Sequence, residues 1–256
     1  MISTIVYFLV FIFGSSFGSF LNVVIDRLPN NLPLLISRSR CESCKKTLKW
    51  YDLFPVFSYL FLFGKCRYCK SIIPARIFFV ELITGTIFAY LFFLFFSGII
   101  NVVLFFLFSV IAFCLIVIFF TDLKFGIIPD EILLVLLFSG LAVNLLFNWE
   151  NFMSFVLSGI GALLFFLLLF LLTRGKGMGF GDVKFSFFVG FLLGFPKSLL
   201  AFYLAFLTGA FISVILIAWG KKRFKKDTVP FGPFLIAGIC LTILYSDKIF
   251  RFLGVF

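Results

Sequence analysis

Val102–Asp122, V-V-L-F-F-L-F-S-V-I-A-F-C-L-I-V-I-F-F-T-D, runs without a charge to Thr121 and then sets an aspartate at its end. About 20 apolar residues, rising 1.5 Å each, match the roughly 30 Å hydrocarbon core of a bilayer. The stretch reads as a transmembrane helix. The same measure carried outward places spans near 2–25, 77–97, 102–121, 131–147, 152–173, 185–195, 198–219 and 229–246. The expected fold is therefore an all-α polytopic membrane protein of about eight transmembrane helices. The sixth span, F-S-F-F-V-G-F-L-L-G-F, is short, and its start is expected inside a re-entrant or partly buried turn. Breaks such as S-G-I-I-N, N-W-E-N and P-K-S join alternate spans as tight hairpins.

Composition agrees. Hydrophobic residues make up 63% of the chain, charged residues 13%, and the mean hydropathy is +1.23. A soluble domain of 256 residues could not cover its surface with so few charges. The 45 Phe residues read as a bias that fills positions where other chains use Leu, not as a stacking device. The opening M-I-S-T-I-V-Y-F has no basic segment and no small-residue cleavage site, so it reads as a retained first span.

A net charge of +11 would ordinarily raise the question of nucleic acid, but the distribution gives a different answer. With residues 26–76 on one face, alternation of eight spans puts 122–131, 174–184 and 220–228 on the same face. Of 22 Lys and Arg residues only Lys197, Lys248 and Arg251 then fall on the other side. Lys and Arg collect on the cytoplasmic side of membrane proteins. Both termini are thus expected outside, with no nucleic-acid partner. The basic loops would also hold anionic lipid headgroups.

The largest loop, 26–76, carries C-E-S-C at 41–44 and C-R-Y-C at 66–69. Two C-x-x-C pairs can close a tetrahedral site from Cys41, Cys44, Cys66 and Cys69, because each pair grips a metal in one tight turn. The spacer 45–65 is marginally longer than the usual range of about 15–20 residues. In a reducing cytoplasm thiolate–metal bonding is favoured over disulfides. Four sulfurs saturate zinc, so its role would be structural, a staple for a loop with little apolar mass. A redox dithiol pair or four unrelated thiols are the alternatives.

The chain contains no His. Ser-His and Cys-His nucleophiles, H-E-x-x-H zinc proteases and histidine proton relays are all excluded. Carboxylate pairs, a Ser-Lys dyad or a bare cysteine remain. Of 11 acidic residues, Asp26, Glu42 and Asp52 lie among basic residues in the large loop, where solvated ion pairing is expected. Glu150, Asp227 and Asp247 lie in water-facing breaks. Glu81 lies just inside the second span and is expected to pair with a basic side chain such as Arg76 or Arg27.

The remaining carboxylates sit in two stretches. In T-D-L-K-F-G-I-I-P-D-E-I (121–132), Asp130 is expected to cap the fourth span, and Glu131 suits the helix dipole. Asp122 has no such explanation, because a carboxylate at a helix C-terminus faces the unfavourable end of the dipole. In R-G-K-G-M-G-F-G-D-V-K-F (174–185), alternating glycines lead to Asp182. A peptide could lie extended along Gly179 and Gly181 and share backbone hydrogen bonds with them. Asp122 and Asp182 together would form an aspartic-peptidase dyad. Two neighbouring carboxylates share a proton: the ionised one activates water and the protonated one polarises the scissile carbonyl. An ion or metal transporter using the same aspartates would place them mid-span, not at one membrane face.

At these residues the chain resembles the type IV prepilin peptidase family in its bifunctional bacterial form. The resemblance rests on G-S-F-L-N-V-V-I-D-R-L-P (18–29), the core L-K-W-Y-D-L-F-P-V-F-S-Y-L-F-L-F-G-K (48–65) between the cysteine pairs, and A-R-I-F-F-V-E-L-I-T (75–84). It continues through Asp122, Ile128, Pro129 and Asp130, through Gly179, Gly181 and Asp182, and ends in P-F-G-P-F-L (230–235). The family often has Tyr-Pro where this chain has Ile77-Phe78. The resemblance implies a GxGD-type membrane aspartic peptidase of the bacterial cytoplasmic (inner) membrane. It would cleave the leaders of type IV prepilins and secretion pseudopilins at the cytoplasmic face, after a Gly. It further implies methylation of the new N-terminal amine with S-adenosylmethionine as donor; a peptidase without the methyl-transfer step is the alternative. On this reading 1–25 is the first transmembrane helix, 26–76 a zinc-binding methyltransferase module and 77–256 the peptidase domain.

Overall fold

A computed structural model describes residues 2–34, 39–175, 177–219 and 230–252. Among them the chain forms α1 (Ile2–Arg27), α2 (Phe57–Phe61), α3 (Ala75–Phe96), α4 (Val102–Phe125), α5 (Asp130–Phe147), α6 (Phe152–Leu172), α7 (Phe180–Leu193), α8 (Lys197–Ala218) and α9 (Gly232–Phe252). The only β pairing among the described residues is two isolated bridges in the loop between α1 and α3. Among the described residues seven helices are long and apolar enough to cross a membrane. The chain is an integral membrane protein with an all-helical fold. The eighth expected span is α7, whose 14 residues rise about 21 Å. Arg38, Lys176, the cluster Lys221, Lys222, Arg223, Lys225 and Lys226, Asp227, and the expected start of the last span at 229 lie outside the described residues.

Local chemistry sets the helix ends that matter for function. α4 stops because Gly126 takes φ 70°, and its N–H caps the Asp122 carbonyl at 2.9 Å. Pro129 then keeps Ile128 out of the helical region, so α5 starts afresh at Asp130.

The chain divides into two compact units, Met1–Val117 and Ile118–Phe256. In the first, α1 and α3 pack antiparallel through Tyr7 on Phe92 and Phe17 on Phe88, with ring centroids 5.9 and 6.0 Å apart. Their far end is polar. Asn22 Nδ2 donates to the Ile77 carbonyl at 3.1 Å, and Arg76 Nη2 donates to both oxygens of Asp26 at 2.8 and 2.7 Å. Among the described residues Glu81 does not take a basic partner. Its Oε2 accepts the Val56 backbone N–H at 2.7 Å, and Arg76 goes to Asp26 instead. Val56 sits at φ 63°, ψ −52°, the centre of a γ-turn in which the Phe57 N–H donates to the Pro55 carbonyl at 2.6 Å.

In the second unit α7 is the buried centre. Phe185, Phe188 and Val189 have no exposed surface, and the helix packs against α5, α6, α8 and α9. Asn144 on α5 donates to the Phe191 carbonyl at 2.7 Å, which satisfies a buried amide in an apolar setting. Phe166 on α6, also fully buried, meets Phe202 at 5.0 Å and Phe206 at 5.8 Å. The Phe bias is thus more than substitution for Leu, because these rings interlock at distances that add to simple burial.

Candidate active site and cysteine cluster

Asp122 and Asp182 lie in the same unit, Asp122 in the last turn of α4 and Asp182 in the first turn of α7. Both are at helix ends, not mid-helix. Both are buried, with 5% and 6% exposure, and the Asp122 charge acts on Asp182. Each carboxylate is anchored by one oxygen to a glycine amide. Asp182 Oδ2 accepts the Gly179 N–H at 3.1 Å, and Asp122 Oδ2 accepts the Gly232 N–H at 2.9 Å. The other oxygen of Asp182, Oδ1, is buried without a hydrogen-bond partner among the described residues. A buried carboxylate oxygen of this kind calls for a proton or a polar ligand. Protonated, such a carboxyl would polarise a polar group placed against it.

The segment after α4 docks on the start of α7. Ile128 packs on Gly181, and Lys184 Nζ donates to both Asp130 oxygens at 2.7 and 2.9 Å. Asp130 is therefore not the N-cap of α5: Pro129 occupies that position, and the Asp130 carboxylate reaches across to α7. Gly179 is the N-cap of α7, with its N–H on Asp182 and its carbonyl accepting the Asp182 N–H at 3.2 Å. Its backbone groups are occupied, and Gly181 is already helical, so the extended run in this segment ends at Gly179.

In the first unit the four cysteines meet. Their sulfurs all lie within 4.8 Å of one another, and Cys41 Sγ and Cys69 Sγ are 3.8 Å apart. A tetrahedral zinc ion with bonds of 2.3 Å requires sulfurs about 3.8 Å apart, so the cluster fits such an ion. The two C-x-x-C-K turns share one design. Lys45 and Lys70 take φ 57° and 60° and donate to the Cys41 and Cys66 carbonyls at 2.9 and 3.0 Å. The bridges Arg40–Thr47 and Lys65–Ile72 close each turn into a small knuckle. The two turns are a short local repeat. The Cys44 backbone amide is the main cause that draws the Cys41 thiol down to about 6. Cys44 is pushed up to about 11: the Lys46 amide pulls it down, but burial and the neighbouring Cys69 and Cys41 sulfurs outweigh that pull. Four sulfurs this close cannot all ionise unless a cation shares their charge.

Asp52 holds the knuckles together. Its side chain is only 3% exposed and accepts from Arg67 Nε at 2.7 Å, Tyr68 Oη at 3.0 Å and the Lys49 N–H at 3.2 Å. Burial raises its pKa, but these three donors outweigh burial and hold the carboxyl below its ordinary value of 3.8.

Residues 12–95 match the bacterial peptidase A24 N-terminal domain, and residues 109–214, which include both aspartates, match the type IV leader peptidase family. A prepilin leader peptidase/N-methyltransferase of Bacillus subtilis is 32% identical over 246 residues, covering 95% of this chain and 96% of that protein. The chain belongs to the type IV leader peptidase family. Relatives of the same description from Burkholderia pseudomallei and Aeromonas hydrophila are each 32% identical, covering 95% of this chain and 86% and 92% of theirs. No solved structure gives a significant match.

Two residues of this family member escaped sequence reasoning. Asp52 lies among lysines and looked like a solvated ion pair, and nothing in its spacing announces three convergent donors. Gly232 lies in P-F-G-P-F-L, a conspicuous turn whose contact with a side chain 110 residues away leaves no local signal. The anchoring of Asp182 was accessible, since Gly179 and Asp182 have the N-cap to N3 spacing of a capping box.

Proposed function

We propose that this chain cleaves the leader peptides of type IV prepilins and pseudopilins and then methylates the new N-terminal amine, with S-adenosylmethionine as methyl donor. The observation that carries the peptidase reading is a pair of buried carboxylates, Asp122 and Asp182, at two helix ends whose flanking segments dock through Ile128 on Gly181 and Lys184 on Asp130. With one shared proton, the ionised member takes a proton from water as that water attacks the scissile carbonyl. The protonated member donates to the carbonyl oxygen and later protonates the leaving amine. The titration belongs to the pair. The missing side chain of Gly179 would let a peptide come close to Asp182, while the space at Gly181 is taken by Ile128. The names of the relatives support the methyl-transfer step, which we assign to the four-cysteine loop of 26–76, with the peptidase in 77–256.

Zinc held by Cys41, Cys44, Cys66 and Cys69 would fix the shape of that loop, with no open ligand position for chemistry. The charge bias supports a cytoplasmic position for the loop and both aspartates, with both termini outside, and membership of the family supports the bacterial inner membrane. The test is a paired assay. Purified protein with prepilin and labelled S-adenosylmethionine should release the leader and label the new N-terminal residue. Cleavage without label would leave a peptidase alone, and neither activity would overturn the proposal.

A further inference from the structure

We propose that Gly232 is a positioning residue of the peptidase, whose amide and missing side chain together set the orientation of the Asp122 carboxylate. The inference rests on Asp122 being one of the two catalytic carboxylates. Gly232 opens α9, and the first amides of a helix have no acceptor within it. This one donates to Asp122 Oδ2 at 2.9 Å in a buried setting. The contact resolves the oddity of Asp122. Its carboxylate lies at the unfavourable end of α4, yet it also lies at the favourable, positive end of α9. With Oδ2 held, rotation about the side chain is fixed and Oδ1 is the oxygen presented to the reaction.

The space is as restrictive as the bond. A Cβ on residue 232 would stand 2.7 Å from Asp122 Oδ2 and 3.3 Å from its Cγ. One of the two must move, and the glycine cannot. Phe231 is wedged against Phe206 at 5.0 Å and Phe166 at 6.2 Å, and its carbonyl accepts the N–H groups of Phe234 and Leu235 at 3.0 and 3.1 Å. Any side chain at 232 therefore displaces the carboxylate. A purely capping contact would affect stability and leave the folded enzyme's turnover alone. A positioning contact affects turnover, because a shift on the order of 1 Å at a reacting group can lower rate about 100-fold.

Three variants decide. Gly232→Ala should lower kcat for prepilin cleavage roughly 100-fold and keep KM within about threefold, since the substrate still binds. Methyl transfer to pre-cleaved pilin should persist in the same preparation. Gly238→Ala crowds the Ala201 carbonyl from the same helix without approaching a carboxylate, so it should lower Tm but not kcat of the folded fraction. Wild-type kcat in Gly232→Ala, or a loss matched by Gly238→Ala at equal folded fraction, would overturn the inference. If Gly232→Ala does not fold, Phe231→Leu frees the turn without adding a Cβ at 232. A fall in kcat at constant KM then supports the inference, and full activity overturns it. Asp122→Asn run alongside separates the two layers: if it cleaves normally, the dyad itself fails, whereas an inactive Asp122→Asn with a fully active Gly232→Ala removes only the role of Gly232.

Discussion

Asp122 and Asp52 show how carboxylates in an apolar, basic chain are made tolerable by donors that the fold brings to them. For Asp122 the sequence exposes the problem, a negative charge at a helix C-terminus, and only the fold shows the answer in the amide of Gly232. For Asp52 the sequence exposes neither. Replacing Asp52 by Asn should loosen the cysteine loop by about 1–3 kcal/mol, because hydrogen bonds to a charged acceptor from Arg67, Tyr68 and Lys49 are weakened together. Limited proteolysis of metal-stripped protein measures this. The sign of the pH dependence follows from a carboxyl held below 3.8 in the folded loop. Its stabilisation is complete above that value and is lost as pH falls through the lower folded one. The difference between wild type and variant should therefore vanish in strong acid.

At the scale of elements, the seven long helices were readable because each is a continuous apolar run, a signal that survives any tertiary context. The cysteine knuckles were readable from ligand spacing. Cys41→Ser should release the metal and speed hydrogen exchange across 39–72 while leaving α1 and α3 protected, since those helices pack through their own rings. Unchanged metal content would refute a four-cysteine site. Contacts between elements were not readable. In the Lys184–Asp130 pair, with side chains 41% and 66% exposed, Asp130 read as an N-cap and Lys184 as one more basic residue of the 174–184 segment. It contributes at most about 1 kcal/mol to stability. Its position between the two aspartate-bearing segments gives it a larger consequence for catalysis than for folding. Lys184→Asp should slow cleavage, and Lys184→Asp with Asp130→Lys should recover most of the rate, as initial velocities on prepilin would show.

For the whole molecule, sidedness rests on whether α7 crosses the bilayer. Its 14 residues are short for the purpose, yet it is buried by its neighbours on most of its surface, so it need not match lipid thickness by itself. The charge bias requires the crossing, because only then do residues 220–228 join the other basic loops. A membrane-impermeant thiol reagent on intact cells should label Lys197→Cys but not Arg174→Cys; equal labelling would put both ends of α7 on one side. The central claim is the aspartate pair, and cleavage of prepilin by Asp122→Asn and Asp182→Asn tests it most directly. Each variant should lose roughly 100- to 10,000-fold in cleavage rate while still methylating pre-cleaved pilin. Near-normal cleavage by either one would contradict the account.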